Sequence, residues 1–118
     1  MRIIVYIALA VLLISCDHFP KSEYGIGKYD AVLANQICED LSILSNEHSL
    51  VAREHAREST LCYFSDSELN GVVLGARVLG EQIVVDIQGF NSKKKIASLR
   101  KDTEEMIFSK YPDVQINR

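Results

Sequence analysis

The sequence predicts a small α+β domain, a mixed sheet of about four short strands with two main helices packed on one face. Three observations predict it. Two segments carry apolar residues at three- and four-residue steps, the mark of a half-buried helix. Two others alternate apolar and polar residues on either side of Gly80-Glu81, the mark of a hairpin. The chain has 118 residues, the size of one domain. With 47% hydrophobic and 25% charged residues, disordered, collagen-like and polytopic membrane classes are excluded. A formal net charge of −3 is far from the strong basicity of a nucleic-acid binder.

In chain order, Tyr29, Leu33, Ile37, Leu41 and Leu44, with Val32 beside them, place one apolar stripe on a helix over residues 28–46. Asp30 stands where a carboxylate complements a helix amino end. Residues 47–60 are helical in composition but thin in apolar residues, and read as a short helix or an irregular surface segment. Leu61-Cys62-Tyr63-Phe64 reads as a short strand, and Asp66 to Gly71 as a turn. The next two strands form the hairpin. In one, Val72, Leu74, Ala76 and Val78 alternate with Val73, Gly75 and Arg77; in the other, Ile83, Val85 and Ile87 alternate with Val84, Asp86 and Gln88. Asn91 or Ser92 can cap a helix over 93–110, where Ile96, Leu99, Thr103, Met106 and Ile107 keep helical period. Tyr111-Pro112 ends it, and Val114 and Ile116 give a last strand. Helices on one face of the sheet leave the other face more polar.

The first sixteen residues concern address. Arg2 precedes twelve apolar residues, Ile3 to Ile14. As a helix they span about 18 Å, short of a bilayer core of about 30 Å and suited to the apolar region of an export signal. The stretch Leu13-Ile14-Ser15-Cys16 that follows resembles the lipobox of bacterial lipoprotein precursors. The resemblance implies diacylglyceryl transfer to the Cys16 thiol, cleavage between Ser15 and Cys16, and acylation (palmitate or a similar chain) of the new amino group. In enterobacterial members an aspartate after the cysteine, here Asp17, retains the protein in the inner membrane, facing the periplasm. The division expected is therefore a signal peptide over 1–15, a lipidated cysteine with a flexible tether over 16–27, and a globular domain over 28–118. Pro20, Gly25 and Gly27 carry the tether reading. Cleavage removes Arg2 and leaves 12 basic against 16 acidic residues, a formal −4.

The order of elements also has a weak similarity to BON-like modules of the bacterial envelope. It rests on Asn70-Gly71-Val72-Val73-Leu74-Gly75, which matches their glycine-bounded strand. The hairpin that follows departs from that family, in which a helix comes next. The family implies a non-catalytic envelope module and transfers no site residue to this chain.

The remaining candidate residues are few. In an oxidising compartment Cys38 and Cys62 have one possible pairing, which would close a 25-residue loop worth about 3.5 kcal/mol in the chain-entropy model. The alternative is two buried thiols. His18, His48 and His55 match no zinc spacing, so no metal or other cofactor is expected. Asp66 to Gly71 resembles the start of a calcium loop, but Arg77 stands where the bidentate glutamate belongs. Lys93, Lys94 and Lys95 form the one dense charge run and are candidates for contact with an anionic surface. No phosphate-binding loop, nucleophile elbow or Ser/His/Asp set is present. The expectation is a membrane-anchored, non-enzymatic protein- or membrane-binding or assembly module, held by acyl chains on Cys16 and contacting another envelope protein or the membrane surface. The alternative is an immunity or inhibitor lipoprotein neutralising a periplasmic toxin or hydrolase. Its acidic first half (residues 16–70, with 4 basic and 10 acidic residues) would face a basic rim.

Overall fold

The structure is a computed structural model that describes residues 21–54, 57–66, 71–89 and 93–117. The elements run β1 (Lys21–Lys28), α1 (Ala31–Glu47), β2 (Val51–Ala52), β3 (Thr60–Ser65), β4 (Val72–Leu79), β5 (Gln82–Gly89), α2 (Lys93–Lys110) and β6 (Gln115–Asn117). The strands form one sheet in the order β2-β3-β4-β5-β1-β6. The class is α+β, as expected, but there are six strands rather than about four. Every pairing is antiparallel, so the sheet is not mixed. β5 and β6 run the same way on either side of α2, yet β1 lies between them and pairs with both.

β1 is the main departure from the sequence reading, which places residues 21–27 in the tether. Ser22, Tyr24 and Ile26 are buried, and Glu23 and Gly25 face the other way. A Cβ at Gly25 would meet Gln82 Oε1 at 3.4 Å and the Gln115 carbonyl at 3.7 Å, ordinary contact distances, so packing against β5 and β6 does not demand glycine there. A register shift between Gly25 and Gly27 is a bulge, and Ile26, in step with Ser22 and Tyr24, stays in the core. The tether reading survives only for residues before Lys21, which lie outside the described residues.

Antiparallel partners share a face, so the register defines the core. Leu74 pairs with Ile87, and Ala76 with Val85. Tyr24 pairs with Val85, and Phe64 with Leu74. All are buried. Ile37, Leu41 and Leu44 of α1 and Ile96, Leu99 and Ile107 of α2 close over this face and join the same cluster. Helix α1 begins later than the apolar stripe suggests. Asp30 is its N-cap, its carboxylate accepting from Val32 N at 2.9 Å. Tyr29 and Val32 are exposed, 48% and 72%. The chain between α1 and β3 contains no helix among its described residues. It holds the two-residue edge strand β2 and an extended stretch in which Arg53 N donates to Tyr63 O at 2.8 Å.

The helices are tied to each other and to the sheet by polar bonds across their seams. Asp40 of α1 is buried and accepts from Lys110 Nζ and from the Tyr111 hydroxyl, each at 2.8 Å. His48 Nε2 lies 2.8 Å from Asp102 Oδ2; a carboxylate only accepts, so the ring proton on Nε2 points to it. The buried Tyr24 hydroxyl donates to Glu104 at 2.8 Å. Cys38 and Cys62 form a disulfide, with Cα atoms 5.9 Å apart, that fastens α1 to β3.

Candidate interaction surface

Both helices lie on one side of the sheet, so the other side is built from the outward residues of each strand. Tyr63, Val73, Gly75, Arg77, Val84, Asp86, Gln88 and Glu23 alternate with the buried set. Register places Glu23 directly opposite Asp86. Two carboxylates at that position repel. Arg77, one strand over, answers both: Nε donates to Asp86 Oδ2 at 2.8 Å and a terminal nitrogen to Glu23 Oε1 at 3.2 Å. The three side chains are 18–31% exposed, and the stem of Arg77 lies beside Val84, its cross-strand neighbour, which is buried.

Beside this trio the face sinks into a hollow of about 520 Å³. Tyr63, Val73, Gly75, Arg77, Asp86 and Gln88 line its floor, and Glu54 and Arg57 its rim. Gly75 lies opposite Tyr63 and leaves the depression open. The lining offers one aromatic ring, that of Tyr63, and charges of both signs.

The fold disperses the residues singled out from the sequence. Ser15, Cys16, Asp17, His18 and His55 lie outside the described residues. Cys38 and Cys62 are joined on the helix side of the sheet. Lys95 is half-buried with its ammonium 3.3 Å from Asp66 Oδ2, whereas Lys94 is exposed; the side chain of Lys93 lies outside the described part of the chain. Lys94 and Lys95 therefore differ in their surroundings. Among the described residues no three His, Cys, Asp or Glu side chains converge as metal ligands, and no helix is long and apolar enough to cross a membrane.

Alternation in the sequence places Arg77, Asp86 and Gln88 on the polar side of their strands but does not bring them together with Glu23, because it gives no sign of β1. Arg53 is also silent in the sequence. It donates from Nε to Ser65 Oγ and from a terminal nitrogen to the Asp66 carbonyl, both at 3.0 Å. No local pattern distinguishes it from a solvated arginine. The sequence matches no protein-family model and no curated protein.

Proposed function

We propose that this chain is a membrane-anchored, non-catalytic binding or assembly module of the bacterial cell envelope. Acyl chains on Cys16 hold it, and the uncovered face of its sheet contacts another envelope protein. The address rests on Leu13-Ile14-Ser15-Cys16 behind a short apolar run. The contact rests on one observation: both helices cover the same face, and the other is left with a hollow lined by Tyr63, Arg77, Asp86 and Gln88. The alternative, an immunity or inhibitor lipoprotein whose acidic half meets a basic rim, has less support. Glu23, Asp40 and Asp66 are already held by Arg77, Lys110 and Lys95, and Asp30 caps α1.

The test has two parts. Cys16→Ala is expected to abolish palmitate labelling and release the protein from the membrane fraction; unchanged labelling and fractionation rejects the anchor. A photo-crosslinking residue at Gln88 is expected to trap an envelope protein in intact cells, and one at Asn35, exposed on α1, is not. Equal trapping from both positions rejects the sheet face as the contact. A trapped secreted toxin in place of a host envelope protein selects the immunity reading.

A further inference from the structure

We infer that one end of the sheet seats on anionic phospholipid headgroups, so that the domain stands end-on at the membrane. The inference rests on the anchor reading at Cys16. Five peptide steps separate Cys16 from Lys21, a reach of at most about 18 Å. Lys21 opens β1, and register carries a single row from it across the sheet: Lys21 to Gln88, Gln88 to Val73, Val73 to Ser65 and Ser65 to Val51. That row is the end from which the anchored segment leaves. The opposite end, at Lys28 and the β4–β5 turn, lies about 24 Å further along an eight-residue strand at about 3.4 Å per residue. A tether of that length is too short for the sheet to stand upright on that far end.

The charges follow the same axis. Asp66, next to Ser65, gathers Lys95 at its carboxylate and Arg53 at its carbonyl. This brings the first turn of α2, with the exposed Lys94, to the anchored end. Among the described side chains this end holds Arg53, Lys94 and Lys95 against Glu47 and Asp66. The far end holds Lys28, Arg57 and Lys110 against Asp30, Glu58, Glu81 and Asp113. A basic end beside the lipid and an acidic end away from it complement a negative surface. The same posture stands the sheet upright, with its uncovered face open sideways to a neighbour.

The test uses the full chain, processed in a bacterial host and reconstituted into vesicles. Intact mass first reports whether Cys16 carries the diacylglyceryl group. A fluorophore is then placed at Lys94→Cys or at Glu81→Cys, two exposed positions, and quenched from the headgroup region. On vesicles in which about one lipid in three is phosphatidylglycerol, position 94 is expected to be quenched at least about threefold more than position 81. The ratio is expected to fall towards one on pure phosphatidylcholine and to fall on adding Arg53→Gln, since each basic residue near an anionic surface adds about 1 kcal/mol. A lipidated protein with equal quenching at both positions overturns the end-on posture and leaves the anchor standing. A ratio indifferent to lipid charge and to Arg53 overturns the role of anionic lipid. An unmodified Cys16 overturns the inference together with its premise.

Discussion

At Asp40, a buried carboxylate meets two donors from the far end of α2, and one of them carries a pH signature. Burial raises the Tyr111 phenol above the usual tyrosine range, and the hydrogen bond to Asp40 and its negative charge raise it further. The folded state therefore favours the protonated phenol more than the unfolded chain does. The stability this contributes is complete below about pH 10, the unfolded value, and drains away as pH rises above it, by about 1.4 kcal/mol per pH unit until the folded phenol itself ionises. Tyr111→Phe is expected to lose about 1–2 kcal/mol at pH 7, because Asp40 is left short of a donor. It should also lose the phenol's share of the alkaline decline. Urea unfolding of both proteins from pH 8 to 12 checks this; a constant gap between them would refute it. Two glycines mark where backbone and packing demand no side chain. Gly80 has φ of 64° in the β4–β5 turn with open space around it, so Gly80→Ala is strained by conformation alone and should cost about 1 kcal/mol. At Gly89 a Cβ would collide with the end of the Ile96 side chain, and Gly89→Ala must move that side chain out of its place against β5.

Between elements, the disulfide and the Arg77 trio make the strongest predictions. Cys38→Ser/Cys62→Ser opens a loop whose closure is worth about 3.5 kcal/mol in the chain-entropy model. The double variant is expected to unfold at clearly lower denaturant, and the same shift should follow reduction of the wild type; no shift in either would show that the staple contributes nothing. Arg77→Met leaves Glu23 and Asp86 facing one another across β1 and β5. It is expected to lower stability by about 1–2 kcal/mol, and adding Asp86→Asn should recover part of the loss. How much of this is legible in the sequence differs element by element. The hairpin β4–β5 is plain because its alternation is unbroken and Gly80 marks its turn. Helix α2 is plain because Ile96, Leu99, Thr103 and Ile107 face one side. β1 is not, because glycines at 25 and 27 look like a loop. Their place in a strand is tertiary: Gly25 pairs with Val84 of β5 and Gln115 of β6, and no local pattern carries that. β2 is hidden for a related reason, since two residues cannot show a period and Val51–Ala52 is a strand only because β3 lies beside it.

For the whole molecule, the two faces of the sheet should respond differently to substitution. The covered face is one continuous cluster in which Leu74, Val85 and Ile87 have no exposed surface. Leu74→Ala removes methyl groups from the centre of that cluster and is expected to cost about 2–5 kcal/mol. The uncovered face holds the fold through Arg77, Glu23 and Asp86, but Gln88 and Glu54 line the hollow without contributing to the core. Replacing both by Ala should change stability by less than about 1 kcal/mol. At positions 88 and 54 packing does not fix the side chain, so substitution there tests contact apart from folding. The measurement is a pair of denaturation curves beside a pair of crosslinking yields from position 63. Leu74→Ala should lower stability and leave the yield per folded molecule unchanged, whereas Gln88→Ala/Glu54→Ala should lower the yield and leave stability in place. Were the two variants to lose stability and contact in proportion, the uncovered face would be a structural surface like any other, and the reading of it as the binding side would fail.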